Sequence, residues 1–308
     1  MPYGTHNSIE DPRNEEVKIF INDQLYPRHE AKISVFDSGY LVGDGVWEGI
    51  RLHHGHLLFI DLHLKRLWEA AKVVGMDIPF TKEELVQKVR MTVDANQMED
   101  EVHIRIMLTR GIKKTPSQDP RLTISGPNLV IIAEHKKASE ETMKKGISLF
   151  TSTYRRGAPD YLDPRLNCHS KIHEVQALIQ ALEAGADEAL MLDPHGFVAT
   201  CNSTNFFMVK DGEVWTSTGQ YCMNGITRAN VIRICEENDI PIHQKNFSLY
   251  DVYSADEAFV TGTFGGLTPV VKVANKPLSN EKAGKLTIRL QELYAQLISS
   301  EIARHEGS

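Results

Sequence analysis

The sequence predicts an α+β fold in two domains. Strand-like runs and amphipathic helical patterns are segregated along the chain, and they do not alternate regularly as in a parallel sheet. At 308 residues the chain is long enough for two hydrophobic cores. A charged and polar stretch follows the apolar run NLVIIAEH. We therefore expect a small α/β N-terminal domain over residues 1–135, a linker over 136–146 and a larger C-terminal domain over 147–308.

The first domain opens with three strand-like runs, VKIFIN, KISVFD and GIRLHHGHLLFI, the last with a hairpin turn at His54–Gly55. Apolar residues at helical spacing then predict a helix from Asp61 that ends at Gly75. A second helix is expected from Glu83 to about Ala95, before the strand VHIRIMLTRG. An antiparallel sheet accompanied by helices is the consistent interpretation.

The second domain begins with the strand ISLFTSTY and a helix from about Ser170 to Ala184. Strands EALMLD, NFFMVKDG and EVWTS follow, then a helix from Thr227 to Asn238, the strand EAFVTG and a final helix. The first of these helices carries an apolar stripe of Ile172, Val175, Leu178, Ile179 and Leu182. Such a stripe is typical of a helix face that packs on a core.

Composition and charge point to a small-molecule partner. The net charge is -7 with 24% charged residues, which gives no electrostatic reason to expect binding to nucleic acid or an anionic membrane. No apolar run approaches the roughly 20 residues of a membrane span, and the first residues lack a signal-peptide pattern, so a cytoplasmic protein is expected. We expect no metal site and no disulfide, because metal-ligand and CxxC spacing is missing around the four cysteines, Cys168, Cys201, Cys222 and Cys235.

Three separate segments have chemistry suited to a phosphate. In Asn224–Arg228 a glycine turn leads into a helix, whose unpaired N–H groups attract an anion; Thr227 could alternatively be only the N-cap of that helix. In Thr261–Gly266 small residues follow a strand and can present backbone amides and a hydroxyl. Arg51 offers a guanidinium that matches phosphate geometry. Each segment alone has a simpler surface role as its alternative.

Together, over roughly residues 17–275, these segments resemble the class IV, or fold-type IV, pyridoxal-phosphate-dependent aminotransferases in order and spacing. Branched-chain and D-amino acid aminotransferases and aminodeoxychorismate lyase share this pattern. The matching segments are Ser34–Asp37, Gly43–Arg51, Phe59, Asp61–Leu67, Leu108–Gly111, Gly185–Leu190, Gly225–Arg228, Gly262–Thr263 and Thr268–Val270. The resemblance implies a homodimer with pyridoxal or pyridoxamine 5'-phosphate in the cleft between two domains. It also implies that the cofactor contacts are Arg51, Ile226, Thr227, Gly262 and Thr263.

Two positions depart from the family pattern. Counting back from Gly185 without a gap puts Asn167 where the family has the lysine that binds the cofactor covalently, and an asparagine cannot form that bond. The same register gives Thr200 where the family has the glutamate beside the pyridine nitrogen. Lys171, expected in the first helical turn, either is a solvated helix residue or replaces the missing lysine as the catalytic base. His169 is a second candidate for proton transfer.

Three functions remain open on this evidence. The first is an aminotransferase that acts on an α-amino acid, preferably branched or apolar, and a 2-oxo acid. The second is a lyase similar to aminodeoxychorismate lyase, and the third is a protein that binds the cofactor without a covalent link. The Arg-x-His element of D-amino acid aminotransferases is missing after Thr109–Gly111, although Lys113 or Arg105 could hold a carboxylate instead.

Overall fold

The structure is a computed structural model that describes residues 4–6, 8, 10–278 and 282–306. The chain divides into two compact units. The described residues of Ile9–Lys137, together with Asn167–Lys171, form the N-terminal unit. Those of Met1–Ser8, Ala138–Leu166 and Ile172–Ser308 form the C-terminal unit. Each unit is built on one sheet, and the chain is α+β as expected.

The sheet of the N-terminal unit has six antiparallel strands in the order β2-β1-β6-β5-β3-β4. The strands are β1 (Lys18–Ile21), β2 (Gln24–Pro27), β3 (Gly45–His53), β4 (His56–Leu57), β5 (Val102–Thr109) and β6 (Asn128–His135). The helices are α1 (Ser38–Val42), α2 (Ile60–Val73) and α3 (Lys82–Ala95), with short 3-10 helices at Pro12–Glu15 and Pro120–Leu122. Both longer helices lie where the sequence predicts them.

The run KISVFD was predicted as a strand, and that prediction is wrong. Residues 31–36 contain no strand, and a short helix begins at Ser38. Ile33, Val35 and Phe36 are exposed, the Val35 residue to 66%. An alternating apolar pattern predicts a strand only when one of its faces is buried, and in this segment the apolar side chains point away from the core of the unit.

The C-terminal unit contains a larger mixed sheet in the order β12-β11-β10-β13-β14-β7-β8-β9, with β15 paired to β14. Strand β7 is parallel to β8 and β14, β11 is parallel to β12, and the other pairs are antiparallel. The strands are β7 (Ile147–Thr151), β8 (Glu188–Leu192), β9 (Val198–Cys201), β10 (Asn205–Lys210), β11 (Glu213–Thr216), β12 (Ile242–Gln244), β13 (Glu257–Gly262), β14 (Gly266–Val273) and β15 (Lys276–Pro277).

Five helices lie in the described part of this unit. They are α4 (Glu140–Lys145), α5 (Ile172–Glu183), α6 (Ile226–Glu237), α7 (Leu249–Tyr253) and α8 (Lys285–Glu306). Helix α4 lies within the segment that the sequence suggested as a linker. Among the helices that the structure describes, none is both long and apolar enough to cross a membrane.

Strand β10 shows how the large sheet is buried on both faces. Its residues alternate between two apolar clusters: Phe206 and Met208 pack with Val260 of the neighbouring strand, and Phe207 packs on the other side. The second cluster includes Val231 from α6. A strand covered on both faces reads as a continuous apolar run, which is why NFFMV is easily identified in the sequence.

The apolar stripe predicted for α5 does not face a core. Instead Ala177 and Ala181 are fully buried, and they pack in a cluster with Ala189 and Met191. Small alanine side chains let the helix approach β8 closely, so the larger residues are directed outward. The stripe residues Ile172, Val175, Ile179 and Leu182 are between 46% and 70% exposed.

Candidate functional site

The glycine turn before α6 leaves the start of a buried helix without a side-chain cap. Gly225 is the N-cap residue and has no side chain to accept a hydrogen bond, and α6 begins at Ile226. Thr227 is therefore the second helical residue, so its alternative interpretation as the N-cap is wrong. Ile226 and Thr227 are both buried. The first N–H groups of this 12-residue helix lack a side-chain cap and are suited to an anion.

Asn205 connects this turn to two other predicted site segments. Its Nδ2 donates to the Met223 carbonyl at 2.9 Å and lies 3.4 Å from Thr200 Oγ1. In the sheet, Asn205 pairs with Thr261 next to the end of β13. A Cβ added to Gly225 would lie 2.3 Å from Asn205 Oδ1. The side-chain amide of Asn205 therefore links the glycine turn to Thr200, and its backbone pairs with β13.

Sequence reasoning missed Asn205 as a site residue. The available signal was a polar residue at the start of the apolar run NFFMV, where a buried amide needs several partners.

The predicted segment Thr261–Gly266 begins at the end of β13. Gly262 is the last residue of this strand and pairs with Gly266, and the turn that contains Thr263 joins them. Thr261 is buried, and its Oγ1 has no hydrogen-bond partner among the described residues. A buried hydroxyl without a partner is costly unless a ligand or water supplies one. This end of β13 thus offers a hydroxyl and backbone amides for a polar ligand.

The Thr200 side chain is neutral, and its hydroxyl proton already forms a hydrogen bond. The hydroxyl of Thr200 donates to the Thr204 carbonyl at 2.7 Å. The hydroxyl of Thr204 in turn donates to the Glu188 carboxylate at 2.8 Å, and the backbone N–H of Thr5 donates to the same buried carboxylate at 3.2 Å. With its proton engaged, Thr200 Oγ1 can only accept a further hydrogen bond.

Asn167 lies in the N-terminal unit and is tied to the edge of β3. Its carbonyl accepts from the Trp47 N–H at 3.1 Å, and its Nδ2 donates to the Trp47 carbonyl at 2.7 Å. The Trp47 indole donates to the Cys168 carbonyl at 3.1 Å. Asn167 Oδ1 is buried and has no hydrogen-bond partner in the described part of the chain. The segment is thus held alongside Gly45–Trp47 by an isolated antiparallel β-bridge between Val46 and Cys168.

His169 and Lys171 follow in the same segment. The His169 N–H donates to the Gly45 carbonyl at 2.9 Å, and a Cβ on Gly45 would lie 2.9 Å from the His169 ring. Burial lowers the pKa of His169, so the imidazole is neutral near pH 7. Lys171 lies immediately before α5, not in its first turn as predicted. The Lys171 residue is half-buried.

Arg51 lies on the face of the small sheet that also carries Trp47 and Arg105. Its Nη1 donates to the Lys136 carbonyl at 2.7 Å. On the neighbouring strand, the Arg105 guanidinium stacks on the Trp47 ring, with 3.9 Å between guanidinium carbon and ring centroid. Burial lowers the pKa of Arg105, but an arginine stays charged near neutral pH. This face is therefore cationic and partly aromatic.

On the opposite face of β3, Glu48 forms a buried charged cluster. Glu48 accepts from Arg66 Nε at 2.7 Å and lies 2.7 Å from His63 Nδ1. Burial alone would raise the pKa of Glu48, but the charge and hydrogen bonds of Arg66 lower it, with help from His63. Burial also lowers the pKa of His63. The cluster fixes α2 against the strand that carries Arg51.

The predicted site residues thus belong to two groups. Arg51, Asn167 and Lys171 are in the N-terminal unit. The C-terminal unit contains Thr200, Ile226, Thr227, Gly262 and Thr263. Within this second group, contacts with Asn205 and Thr204 link Thr200, the turn before α6 and the end of β13.

Comparison with known proteins places this geometry in a family. Residues 45–273 match the family model described as amino-transferase class IV. The chain is 38% identical over 290 residues to branched-chain-amino-acid aminotransferase-like protein 2 of Arabidopsis thaliana, covering 94% of this chain and 52% of that protein. The chain therefore spans about half the length of this relative.

Two further proteins match over almost their full length. A putative branched-chain-amino-acid aminotransferase of Methanocaldococcus jannaschii is 36% identical over 282 residues, with 91% of this chain and 96% of that protein covered. The crystal structure of the T.th. branched-chain amino acid aminotransferase with pyridoxamine 5'-phosphate has a TM-score of 0.88 at 30% identity, covering 95% of this chain and 97% of that one. The family match, these identities and the shared fold together show that the chain belongs to the class IV aminotransferases.

Proposed function

We propose that the chain is a pyridoxal-phosphate-dependent aminotransferase that moves an amino group between an apolar or branched α-amino acid and a 2-oxo acid. The observation that carries the proposal is the polar assembly around Asn205, which combines an uncapped buried helix start with the unpartnered hydroxyl of Thr261. The related T.th. structure contains pyridoxamine 5'-phosphate. Family membership and this assembly both favour the same cofactor.

The residues of the C-terminal unit fit the phosphate of that cofactor. Backbone N–H groups of Ile226 and Thr227 offer the dipole and donors of a helix start, and Gly262 and Thr263 offer a second set of donors. Arg51 would add a guanidinium fork from the N-terminal unit. When bound, the cofactor supplies the electron sink that stabilises charge after removal of the α-proton.

The residue at the covalent position does not fit a lysine-linked cofactor. Asn167 is held by its side chain and its backbone to Trp47 and cannot form a covalent bond to the cofactor. We propose that Lys171, four residues further along, moves the α-proton in its place. His169 is the alternative base, because burial keeps its imidazole neutral and able to accept a proton.

The exposed face of β5 supports a substrate with a carboxylate and an apolar portion. Arg105 pairs across the sheet with Gly49 and with Ile132, and Met107 is the next residue on the same face. A guanidinium already stacked on an aromatic ring needs little reordering to bind a carboxylate. Apolar neighbours favour an aliphatic side chain. These features are the basis for proposing branched or apolar amino acids, with an acidic 2-oxo acid as acceptor.

We also propose a homodimer. The exposed stripe on α5 is one apolar surface of the C-terminal unit, and the segment with Val35 and with Tyr40 of α1 is another, in the N-terminal unit. Tyr40 is 71% exposed. Apolar patches of this kind on a protein surface mark interaction sites. Light scattering at micromolar concentration should give twice the chain mass, and a monomer mass would contradict this proposal.

A second candidate function is suggested by the environment of Asn167. Its amide is integrated into the edge of β3, as expected for a residue with a structural role. Together with the neutral Thr200, this arrangement favours a protein that binds the cofactor noncovalently and turns over slowly or not at all. Such a protein keeps the phosphate contacts and lacks a residue that stabilises the protonated pyridine ring by charge.

Cofactor trapping and activity assays distinguish these functions. Purified protein is treated with borohydride, digested, and the modified peptide is identified by mass spectrometry, while transamination is measured with L-branched amino acids and D-alanine. The aminotransferase proposal predicts amino transfer that is lost in Lys171→Ala, whereas Lys145→Ala, an exposed lysine, serves as the control. Bound cofactor without trapping or transfer would favour the noncovalent protein.

Two further results separate the remaining alternatives. Release of a 2-oxo acid without any amino acceptor would favour a lyase. Suppose that the noncovalent protein is inactive only because Asn167 and Thr200 replace the family's lysine and glutamate. In that case the double variant Asn167→Lys and Thr200→Glu should gain transamination, since both residues would act on the same step. If borohydride fixes the cofactor to a lysine other than Lys171, the roles proposed for Asn167 and Lys171 are wrong.

A further inference from the structure

We propose a binding site for a divalent first-row metal ion, with zinc as the reference ion, at the tip of the β3–β4 hairpin. The three ligands would be His53, His54 and Asp100. One ligand atom from each lies within 4.8 Å of the other two. Asp100 is separated from His53 by 47 positions. This is why sequence spacing, which led us to expect no metal site, could not reveal the cluster.

The hairpin turn fixes the two histidines next to each other. His53 pairs with His56 across the hairpin, and the two-residue turn is His54–Gly55. Both turn residues have positive φ, 45° and 77°, as in the tight type I′ turn that fits the twist of a hairpin. The imidazole centroids of His53 and His54 lie 4.2 Å apart. Two of the three ligands are thus placed by the backbone itself.

The carboxylate of Asp100 is also held in position. Its Oδ1 accepts from the Glu101 N–H at 2.8 Å and from the His54 N–H at 3.2 Å. The other oxygen, Oδ2, lies 3.4 Å from His54 Nδ1. Zinc bonds of about 2.0–2.2 Å in a tetrahedral site separate neighbouring ligand atoms by roughly 3.3–3.6 Å. The spacing between His54 and Asp100 already matches that geometry.

His53 must change its present contact to join the site. Its Nδ1 lies 2.6 Å from Asp100 Oδ1, a hydrogen-bond distance. To share a metal with that oxygen, the ring nitrogen has to move away by about 0.7–1 Å, because neighbouring ligand atoms in such a site are roughly 3.3–3.6 Å apart. A purely structural His53–Asp100 pair would explain this bond, so the proposal rests on the second imidazole, whose Nδ1 lies 3.4 Å from the other carboxylate oxygen.

The ligand types and local charge select the kind of ion. Two imidazole nitrogens and one carboxylate oxygen suit zinc, copper or nickel, whereas calcium and magnesium prefer oxygen ligands. The carboxylate of Asp100 is the negative charge within the cluster that favours a cation. The His54 side chain is 66% exposed, so an ion can enter from solvent and keep water as a further ligand.

Titration calorimetry tests the site directly. The full chain with its cofactor is treated with chelator, dialysed, and titrated with zinc chloride at pH 7.5. Two variants remove a ligand with little effect on the backbone. His54→Asn keeps a residue that tolerates positive φ, and Asp100→Asn keeps the Oδ1 acceptor of the backbone amides. The control is His29→Ala, because His29 is an exposed histidine beside a single carboxylate, that of Glu30.

The parent should bind zinc, and calcium in tenfold excess should not compete. Loss of a ligand should weaken zinc binding at least about tenfold in both variants, since even outer contacts of a metal site matter by that factor. The control should bind as the parent does. Absence of zinc binding at micromolar concentration in the parent, or unchanged binding in His54→Asn, would overturn the proposal. Thermal melting without metal confirms that the variants fold.

Discussion

Gly225→Ala should damage the C-terminal unit through a single contact. A Cβ at this position would lie 2.3 Å from Asn205 Oδ1, and an ordinary carbon–oxygen contact is about 3.3 Å or longer. The amide therefore has to retreat by about 1 Å. That movement breaks its 2.9 Å bond to the Met223 carbonyl. The backbone of Gly225 itself, with φ -62°, can accept an alanine.

The expected cost follows from the buried position of Asn205. Loss of the hydrogen bond costs about 1 kcal/mol, and leaving buried polar groups unpaired adds roughly 1–3 kcal/mol. We expect the free energy of unfolding to fall by about 2–4 kcal/mol, measured by urea denaturation. The Kd for pyridoxal phosphate should rise at least about tenfold, because a shift of 1 Å in a binding loop has large effects.

Gly262→Ala is the matched control for this experiment. Gly262 is at the end of β13, where an added Cβ would lie 3.4 Å from Thr204 Cγ2, an ordinary contact. Its stability should stay within about 0.5 kcal/mol of the parent. Equal stability of the two glycine variants would refute the reasoning about Asn205.

Three further predictions concern the N-terminal unit. Glu48→Gln should lower the free energy of unfolding by about 3 kcal/mol or more in urea denaturation, because it leaves Arg66 without its buried partner. Acidification should lower Tm from about pH 6.5 downward: the pKa of His63 is depressed in the folded state, so its unfolded form binds the proton first. Arg51→Ala should weaken cofactor binding by roughly 10–100-fold in an equilibrium dialysis assay, through loss of a charge-assisted contact.

Controls for these predictions lie in the same unit. Glu69→Gln removes an exposed ion pair with Lys65 and should change stability by less than about 0.5 kcal/mol. His63→Gln should melt with a shallower slope below pH 6.5, because the lowered pKa of the buried His169 still contributes to that slope; an unchanged slope would mean that His63 does not contribute. Arg28→Ala, a change at a surface arginine, should bind cofactor as the parent does. Equal cofactor binding by the Arg51 variant would mean that Arg51 does not contact the phosphate.

The family, the fold class and most helices were predictable from sequence because they depend on local signals. The predicted bounds of α6 differ from the observed ones by only one residue at each end, because the glycine turn indicates the helix start directly. The same turn predicts an anion site, and the structure has an uncapped helix end at that position. Periodicity was sufficient for α3 as well, where Thr81 and Glu84 form a capping box.

Other features depend on contacts between distant residues. The apolar stripe of α5 was predicted to face the core, and that prediction is wrong because hydrophobicity alone does not show which helix face meets the sheet. Two alanines, Ala177 and Ala181, pack against β8 instead. The role of Asn205 depends on partners in three separate segments. Likewise, counting back from Gly185 predicts that Asn167 lies at the position of the family's lysine, but only the structure shows its hydrogen bond to Trp47, 120 positions away.

The β-bridge that the segment Asn167–His169 forms with β3 has a consequence for the synthesis of the protein. The N-terminal unit is discontinuous, since the edge of β3 at Gly45–Trp47 receives its partner from Asn167–Lys171. At about 5–20 residues per second of synthesis, the segment is made roughly 6–24 s after β3. During this interval the N–H of Trp47 and the carbonyl of Gly45 belong to an open sheet edge, the kind of surface that pairs with other chains. A ribosome-bound or truncated chain that ends before residue 167 is therefore the form most exposed to misassociation.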